Sequence, residues 1–194
     1  MVGAVLAERS AVFAVDIDAV RPSEGRGMKI RFKITGDLLE AIRTDLMRPH
    51  AFAHERIGFI SAGLSSAGKD LIALARAYRA VSDEDYLNDP SVGAMMGREA
   101  IRKALEWSLQ AGHAMFHVHT HGGKGIPGFS SLDLRENRKF VPDFFKVSPR
   151  FPHGALVLSD TAACGQIWLG RTKDPVAIDD CTVVGASFKT WGRK

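Results

Sequence analysis

Ala114-Met115-Phe116-His117-Val118-His119-Thr120-His121 is the stretch whose reading decides the fold: an apolar run that ends in three alternating histidines. Extended backbone sends alternate side chains to one side. His117, His119 and His121 therefore share a strand face, and the last two point into the same space. The Gly/Pro-rich turn Gly122 to Gly128 follows, then Ser130-Ser131-Leu132-Asp133. An aspartate twelve residues past His121, brought back by that turn, adds a third donor. Two neutral imidazoles and one carboxylate, with a fourth position left to water, form the donor set of a catalytic zinc site rather than a structural one.

Working outward, the segment Gly97 to Gln110 in front of this strand reads as a helix, with Ile101, Leu105, Trp107 and Leu109 apolar and Gly112 closing it. Further back, Met28, Ile30, Phe32 and Ile34 alternate with Lys29, Arg31 and Lys33 as in a half-buried strand. Thr35 or Asp37 can cap the helical pattern Leu38, Leu39, Ile42, Leu46, which Pro49 stops. His54 to Gly63 is a short apolar strand with one acid, Glu55, at its entrance. Asp70 to Ser82 fits a helix through Leu71, Leu74 and Tyr78, and fits a strand by its position between glycine-bounded neighbours. Asp83 to Met96 reads as a long surface loop of the length that tends to be functional.

Beyond the histidines, Ser130 to Phe140 is helical, Pro142, Pro149 and Pro152 break a loop, and Ala155 to Ser159, Gln166 to Leu169 and Val176 to Val184 are strand candidates. The basic tail Lys189 to Lys194 reads as surface. At the N-terminus Ser10 to Asp18 alternates loosely as a strand and Arg21 to Gly27 is a turn or linker, so residues 1–27 belong to the same unit as a domain over 28–194. The pattern predicts an α/β domain with a mixed sheet and helices against it.

At 194 residues and 45% hydrophobic content the chain can bury one proper core, and two domains would be cramped. Twenty-six basic against 22 acidic side chains give +4 through scattered residues rather than a dense block. That balance neither requires nor excludes nucleic acid. Cys164 and Cys181 are too few for a disulfide framework and too far apart for a Cys-x-x-Cys motif, which suits a reducing cytoplasm. Val2 to Ala7 and Ala11 to Val15 are cut by charges before either reaches the length of a signal core or membrane span. A soluble, cytoplasmic protein is expected.

A zinc hydrolase also needs a carboxylate that takes a proton from water without binding the metal, and Glu55 is the candidate. The Ser130 hydroxyl, one helical turn before Asp133, is placed to stabilise an oxyanion.

Glu55-x-x-Gly58, then His119-x-His121, then Ser130-x-x-Asp133, in that order, resemble the motif of the JAMM (MPN+/JAB) metalloproteases. Members of that family cleave peptide or isopeptide bonds at the C-terminus of ubiquitin and ubiquitin-like proteins. The resemblance implies a cytidine-deaminase-like fold, a curved mixed sheet flanked by helices. It also implies zinc held by His119, His121 and Asp133, with Glu55 as general base and Ser130 supporting the oxyanion. By analogy with the family, it further implies a bacterial single-domain enzyme of deubiquitinase-like type, with a ubiquitin-like substrate and E1- or E2-like proteins as partners. Two departures stand out: Gly122 replaces the usual proline after the second histidine, and eight rather than seven residues separate His121 from Ser130. A loop this rich in glycine absorbs one extra residue at little entropic cost. His117, where the family commonly has an aromatic residue, reads as lying just outside the ligand set or facing substrate.

An extended ubiquitin-like tail could add to a sheet edge, with Met95, Met96, Ile126 and Phe129 supplying apolar contacts. Among rivals, (β/α)₈ amidohydrolases need about 250 residues and carry His-x-His near the first strand, whereas here it lies at position 119 of 194. Non-haem iron oxygenases share two histidines and a carboxylate but leave Glu55 and Ser130 unexplained. A metal-free MPN-type scaffold would typically lose one of the five motif residues, all kept here. A nucleic-acid module has only the pI near 9.2 in its favour, without interleaved aromatic and basic residues.

Overall fold

The computed structural model describes residues 27–185 and 189–192. The strand expected over Ser10 to Asp18, and the unit formed by residues 1–27 up to its last residue, lie outside them. β1 (Ile30–Thr35) buries Ile30, Phe32 and Ile34, as the alternation demands. Thr35 then caps α1 (Gly36–Leu46), its Oγ1 accepting from the Leu38 N–H. α1 buries Leu39, Ile42 and Leu46.

β2 (Ile57–Ala67) and β3 (Asp70–Ala80) form an antiparallel hairpin. The ambiguous stretch after Asp70 is thus a strand, because it is hydrogen-bonded on both sides, to β2 and in parallel to β1. A tight turn at Asp83–Asp85 leads through the loop to α2 (Arg98–Ala111), which Gly112 ends in the left-handed conformation at φ 57°. β4 (Ala114–Thr120) carries the histidines, α3 (Ser131–Phe140) follows the Gly/Pro turn, and a short α4 (Phe144–Val147) closes the connection. The remaining strands are β5 (His153–Leu158), β6 (Ala163–Trp168), β7 (Val176–Ala177), β8 (Asp180–Val184) and β9 (Lys189–Gly192).

Two expectations need correction here. The candidate strand Val176 to Val184 is two strands, because Asp179 clamps Ile30: its backbone N–H donates to the Ile30 carbonyl and its carboxylate accepts from the Ile30 N–H. The chain leaves β6 at that point and joins β1. The basic tail is not loose surface chain either, since residues 189–192 pair with β8 and the half-buried Trp191 packs against the core.

The strands form one mixed sheet in the order β7-β6-β5-β4-β2-β3-β1-β8-β9. β1–β3, β1–β8 and β4–β5 are parallel and the other pairs antiparallel. The sheet curls, with a register shift between Ser61 and Ala62 in β2, so that the chain passes directly from β7, whose pairing with β6 the Ile178 N–H extends to the Gly165 carbonyl at 2.9 Å, to Asp179 against β1, although β6 and β1 are far apart in strand order. Gly165 permits that closure, since a Cβ there would lie 2.5 Å from Leu156 and 2.7 Å from Ile178.

β4 is buried on both faces, which explains its continuous apolar character. Ala114, Phe116 and Val118 join Phe32, Ile60 and Ile42 in the core under α1. Met115 joins Phe59, Trp107 and Phe144 in a second core under α2 and α4. The architecture is α/β, a curled mixed sheet flanked by helices. Among the described residues no helix is long and apolar enough to cross a membrane.

Candidate metal centre

The odd-numbered face of β4, the side of α2 and α4, turns polar as the strand ends. His117 and His119 are buried, with ring centroids 5.4 Å apart, and His121 follows just past the strand, its backbone N–H donating to the Leu158 carbonyl of β5. That anchor turns the His121 ring back on His119, and their Nε2 atoms stand 3.2 Å apart.

Asp133 reaches the pair from the first turn of α3. Its Oδ1 is 3.4 Å from His119 Nε2 and its Oδ2 3.4 Å from His121 Nε2. A capping box sets this position: the Ser130 Oγ accepts from the Asp133 N–H at 3.1 Å and the Ser130 N–H donates to Asp133 Oδ2 at 2.7 Å. Burial alone would raise the Asp133 carboxyl. The hydrogen bond and charge of His119, with the Ser130 donors, instead hold it well below the usual carboxylate range.

Glu55 arrives from the residues before β2, its Oε1 4.0 Å from His121 Nε2. Glu55, His119 and His121 offer one donor atom each within 4.8 Å of one another, a cluster that can hold a metal ion. Asp133 stands nearer to the histidines than Glu55 does. Ligands about 2.0–2.1 Å from a tetrahedral ion lie about 3.3–3.4 Å from one another. The separations within His119, His121 and Asp133 match that spacing, while Glu55 lies just beyond it.

The backbone around Glu55 is fixed on three sides. Arg56 is buried, its guanidinium paired with Asp83 and donating to the Arg48 and Pro49 carbonyls. The Ile57 N–H donates to the Tyr86 hydroxyl at 2.7 Å. The Gly93 carbonyl accepts from the backbone N–H groups of both His54 and Glu55. A Cβ on Gly93 would lie 2.7 Å from the Glu55 carboxyl carbon, so a side chain there would push the Glu55 carboxylate aside. The glycine of the Glu55-x-x-Gly58 pattern has a similar cause, for a Cβ at Gly58 would meet the Tyr78 ring at 2.2 Å.

All five motif residues therefore converge at one end of β4, although they come from a strand entrance, a strand end and a helix start. Ser130 enters as the helix cap that orients Asp133. His117 stays apart from the metal-facing cluster and lines the cleft beside it, where burial pushes its imidazole down to about 3. Asn137, one helical turn past Asp133, lines the same cleft and was missed in the sequence; its i+4 spacing from Asp133 was the available signal. Gly93 was also missed, because a loop glycine carries no mark of what lies over it.

The groove expected around the site divides. Met95 and Met96 line the cleft beside Glu55 and His119. Ile126 and Phe129 line a different cavity, with Leu134 and Trp191. Among the described residues a sheet edge is also lacking here, since β2 and β4 are both paired on either side and the sheet ends in β7 and β9. Extended main chain beside the site is found in the loop instead, where the Leu87 N–H donates to the Met95 carbonyl and Tyr86 bridges Met96. No protein-family model matches this chain, and no curated protein matches its sequence.

Proposed function

We propose that this chain is a zinc-dependent metalloprotease of JAMM type, hydrolysing the peptide or isopeptide bond at the C-terminus of a ubiquitin-like protein, in deconjugation or precursor processing. The observation that carries the reading is the set of separations of 3.2, 3.4 and 3.4 Å among the donors of His119, His121 and Asp133, with Glu55 at 4.0 Å. The donor chemistry fits zinc, which takes imidazole nitrogen and carboxylate oxygen in catalytic sites. His119 and His121 through Nε2, and Asp133 through a carboxylate oxygen, would hold it.

Zinc bound there supplies Lewis acidity, which acidifies water and polarises a carbonyl. Glu55, beside His121 but outside the tightest trio, takes the proton of the attacking water and returns it to the departing amine. Ser130 holds Asp133 in place and offers its hydroxyl to the developing oxyanion. Met95 and Met96 give the extended tail an apolar wall. Partners of this reading are the ubiquitin-like protein or its conjugates and the E1- or E2-like proteins that charge it.

The test is metal analysis joined to one substitution. Purified protein should carry close to one zinc per chain, and Glu55→Gln should keep the zinc while losing hydrolysis of a fusion to a ubiquitin-like protein. A well-folded protein that takes up no zinc overturns the reading and leaves a partner-binding scaffold in its place.

A further inference from the structure

Glu55 lies in residues 47–56, the irregular stretch between α1 and β2. The ladder with β4 begins only at Ile57, opposite His119, two residues past the carboxylate. The main chain on either side is held: the Gly93 carbonyl accepts from the His54 and Glu55 N–H groups, and Ile57 is bonded to the Tyr86 hydroxyl and the Val81 N–H. Between these ties stands Arg56, with a side chain only 2% exposed. Its Nε donates to the Arg48 carbonyl at 2.8 Å and its Nη2 to the Pro49 carbonyl at 2.9 Å. Both terminal nitrogens also donate to Asp83, at 2.7 and 3.1 Å. A planar fork that meets acceptors from the end of α1 and from the turn after β3 has one position to take. A buried ion pair adds little stability over well-packed apolar side chains. This one is better explained by what it places: the carboxylate one residue before it, 4.0 Å from His121 Nε2.

We propose that Arg56 is a positioning residue for the proton acceptor: its guanidinium, clamped between the Arg48 and Pro49 carbonyls and Asp83, sets where the Glu55 carboxylate stands relative to His119 and His121. The proposal rests on the hydrolase reading for what Glu55 does, and not for where it stands. None of the partners of Arg56 is a metal-facing side chain, so its effect on the reaction passes through Glu55. Methionine at position 56 keeps much of the bulk and loses every directed bond. Lysine keeps a charge for Asp83 but presents it as a single point, unable to serve two carbonyls and both carboxylate oxygens at once. A displacement of the carboxylate by about 1 Å is enough to cost on the order of a hundredfold in rate.

Two measurements on the full-length protein test this. In amide hydrogen exchange, the His54 and Glu55 N–H groups should exchange about tenfold faster or more in Arg56→Met, with β4 and β5 unchanged and Arg56→Lys in between. In hydrolysis of a fusion to a ubiquitin-like protein by the zinc-loaded protein, Arg56→Met should lower kcat about ten- to a hundredfold while KM stays within about twofold, and Arg56→Lys should recover part of the loss. Placed in a Glu55→Gln background, Arg56→Met should cause no further loss, because both changes act on one group. Equal losses in the two backgrounds, or exchange that rises throughout the protein, would mark a merely structural arginine and overturn the proposal. Unchanged exchange at residues 54 and 55 overturns it as well. If Arg56→Met does not fold, Asp83→Asn takes its place, and it should give the same local pattern at smaller size; no local change there also overturns the proposal. The two readings fail separately. Faster local exchange in a chain whose wild type neither holds zinc nor cleaves removes the hydrolase and keeps the placement of Glu55 by Arg56, whereas a cleaving wild type with unchanged local exchange does the reverse.

Discussion

Asp133 serves two partners with one carboxylate: Oδ2 closes the N-terminus of α3 through the Ser130 N–H, and both oxygens face the histidine pair. The two tasks can be separated experimentally. Ser130→Ala removes the cap and should cost about 1 kcal/mol of stability, read by denaturant titration, while zinc content holds. Asp133→Ala removes cap and donor together and should weaken zinc at least about 100-fold in a chelator competition. Glu55→Gln should leave zinc in place and lower the hydrolysis rate by about 10²- to 10⁴-fold, the usual contribution of a positioned proton acceptor. At this scale the sequence was most readable, because strand parity and helical spacing place His119, His121 and Ser130-x-x-Asp133 with few alternatives. Gly93 and Asn137 escaped because their roles depend on what a different segment lays beside them.

His153 shows how a single side chain can join elements, and it carries a pH dependence. At the start of β5 its Nδ1 accepts from the Met115 N–H of β4 at 3.1 Å, and its Nε2 lies 3.0 Å from the Ser148 carbonyl after α4. Accepting at Nδ1 requires a neutral ring with its proton on Nε2. Burial accordingly pushes its pKa from 6.5 down to about 4. The unfolded chain takes up a proton below about 6.5 that the folded protein refuses. Stability from this residue is thus complete above that pH and is lost as pH falls toward 4, at up to about 1.4 kcal/mol per pH unit. Denaturation midpoints between pH 4 and 7 check this, and His153→Gln should flatten the slope. Elements themselves were readable where a pattern had one solution, as in β1, α1 and α2. β3 was ambiguous because Leu71, Leu74 and Tyr78 obey helical spacing while Leu71 and Ala73 obey strand parity, and only pairing with β1 and β2 decides. The break between β7 and β8 depends on the Asp179–Ile30 clamp, a contact between opposite ends of the chain.

At the scale of the whole molecule the strand order was the least readable property, since parity assigns faces but never neighbours. Nothing local announces that β8 lies against β1, or that a curled sheet brings β6 to the segment entering β8. The residues of the candidate metal centre likewise come from the entrance to β2, the end of β4 and the start of α3, so an ion that binds them ties distant parts of the fold together. At saturating zinc the linkage is worth about 2.7 kcal/mol for a hundredfold excess over Kd. That corresponds to a rise in Tm of about 5–10 °C for a domain of this size. Chelation should reverse the rise, and His121→Ala should abolish it in a scanning calorimeter.

The Gly93 carbonyl accepts from the Glu55 N–H and the Gly93 Cα lies under the Glu55 carboxyl, which makes the 87–96 loop and the proposed proton acceptor one mechanical part. Whatever grips the loop also sets the reach of the carboxylate. In the proposed hydrolase, a docking partner could thus throttle or release turnover by moving main chain, without approaching the metal-binding side chains. Gly93→Ala imitates such a displacement with one methyl group, and turnover should fall about tenfold or more while zinc content and folding stay unchanged.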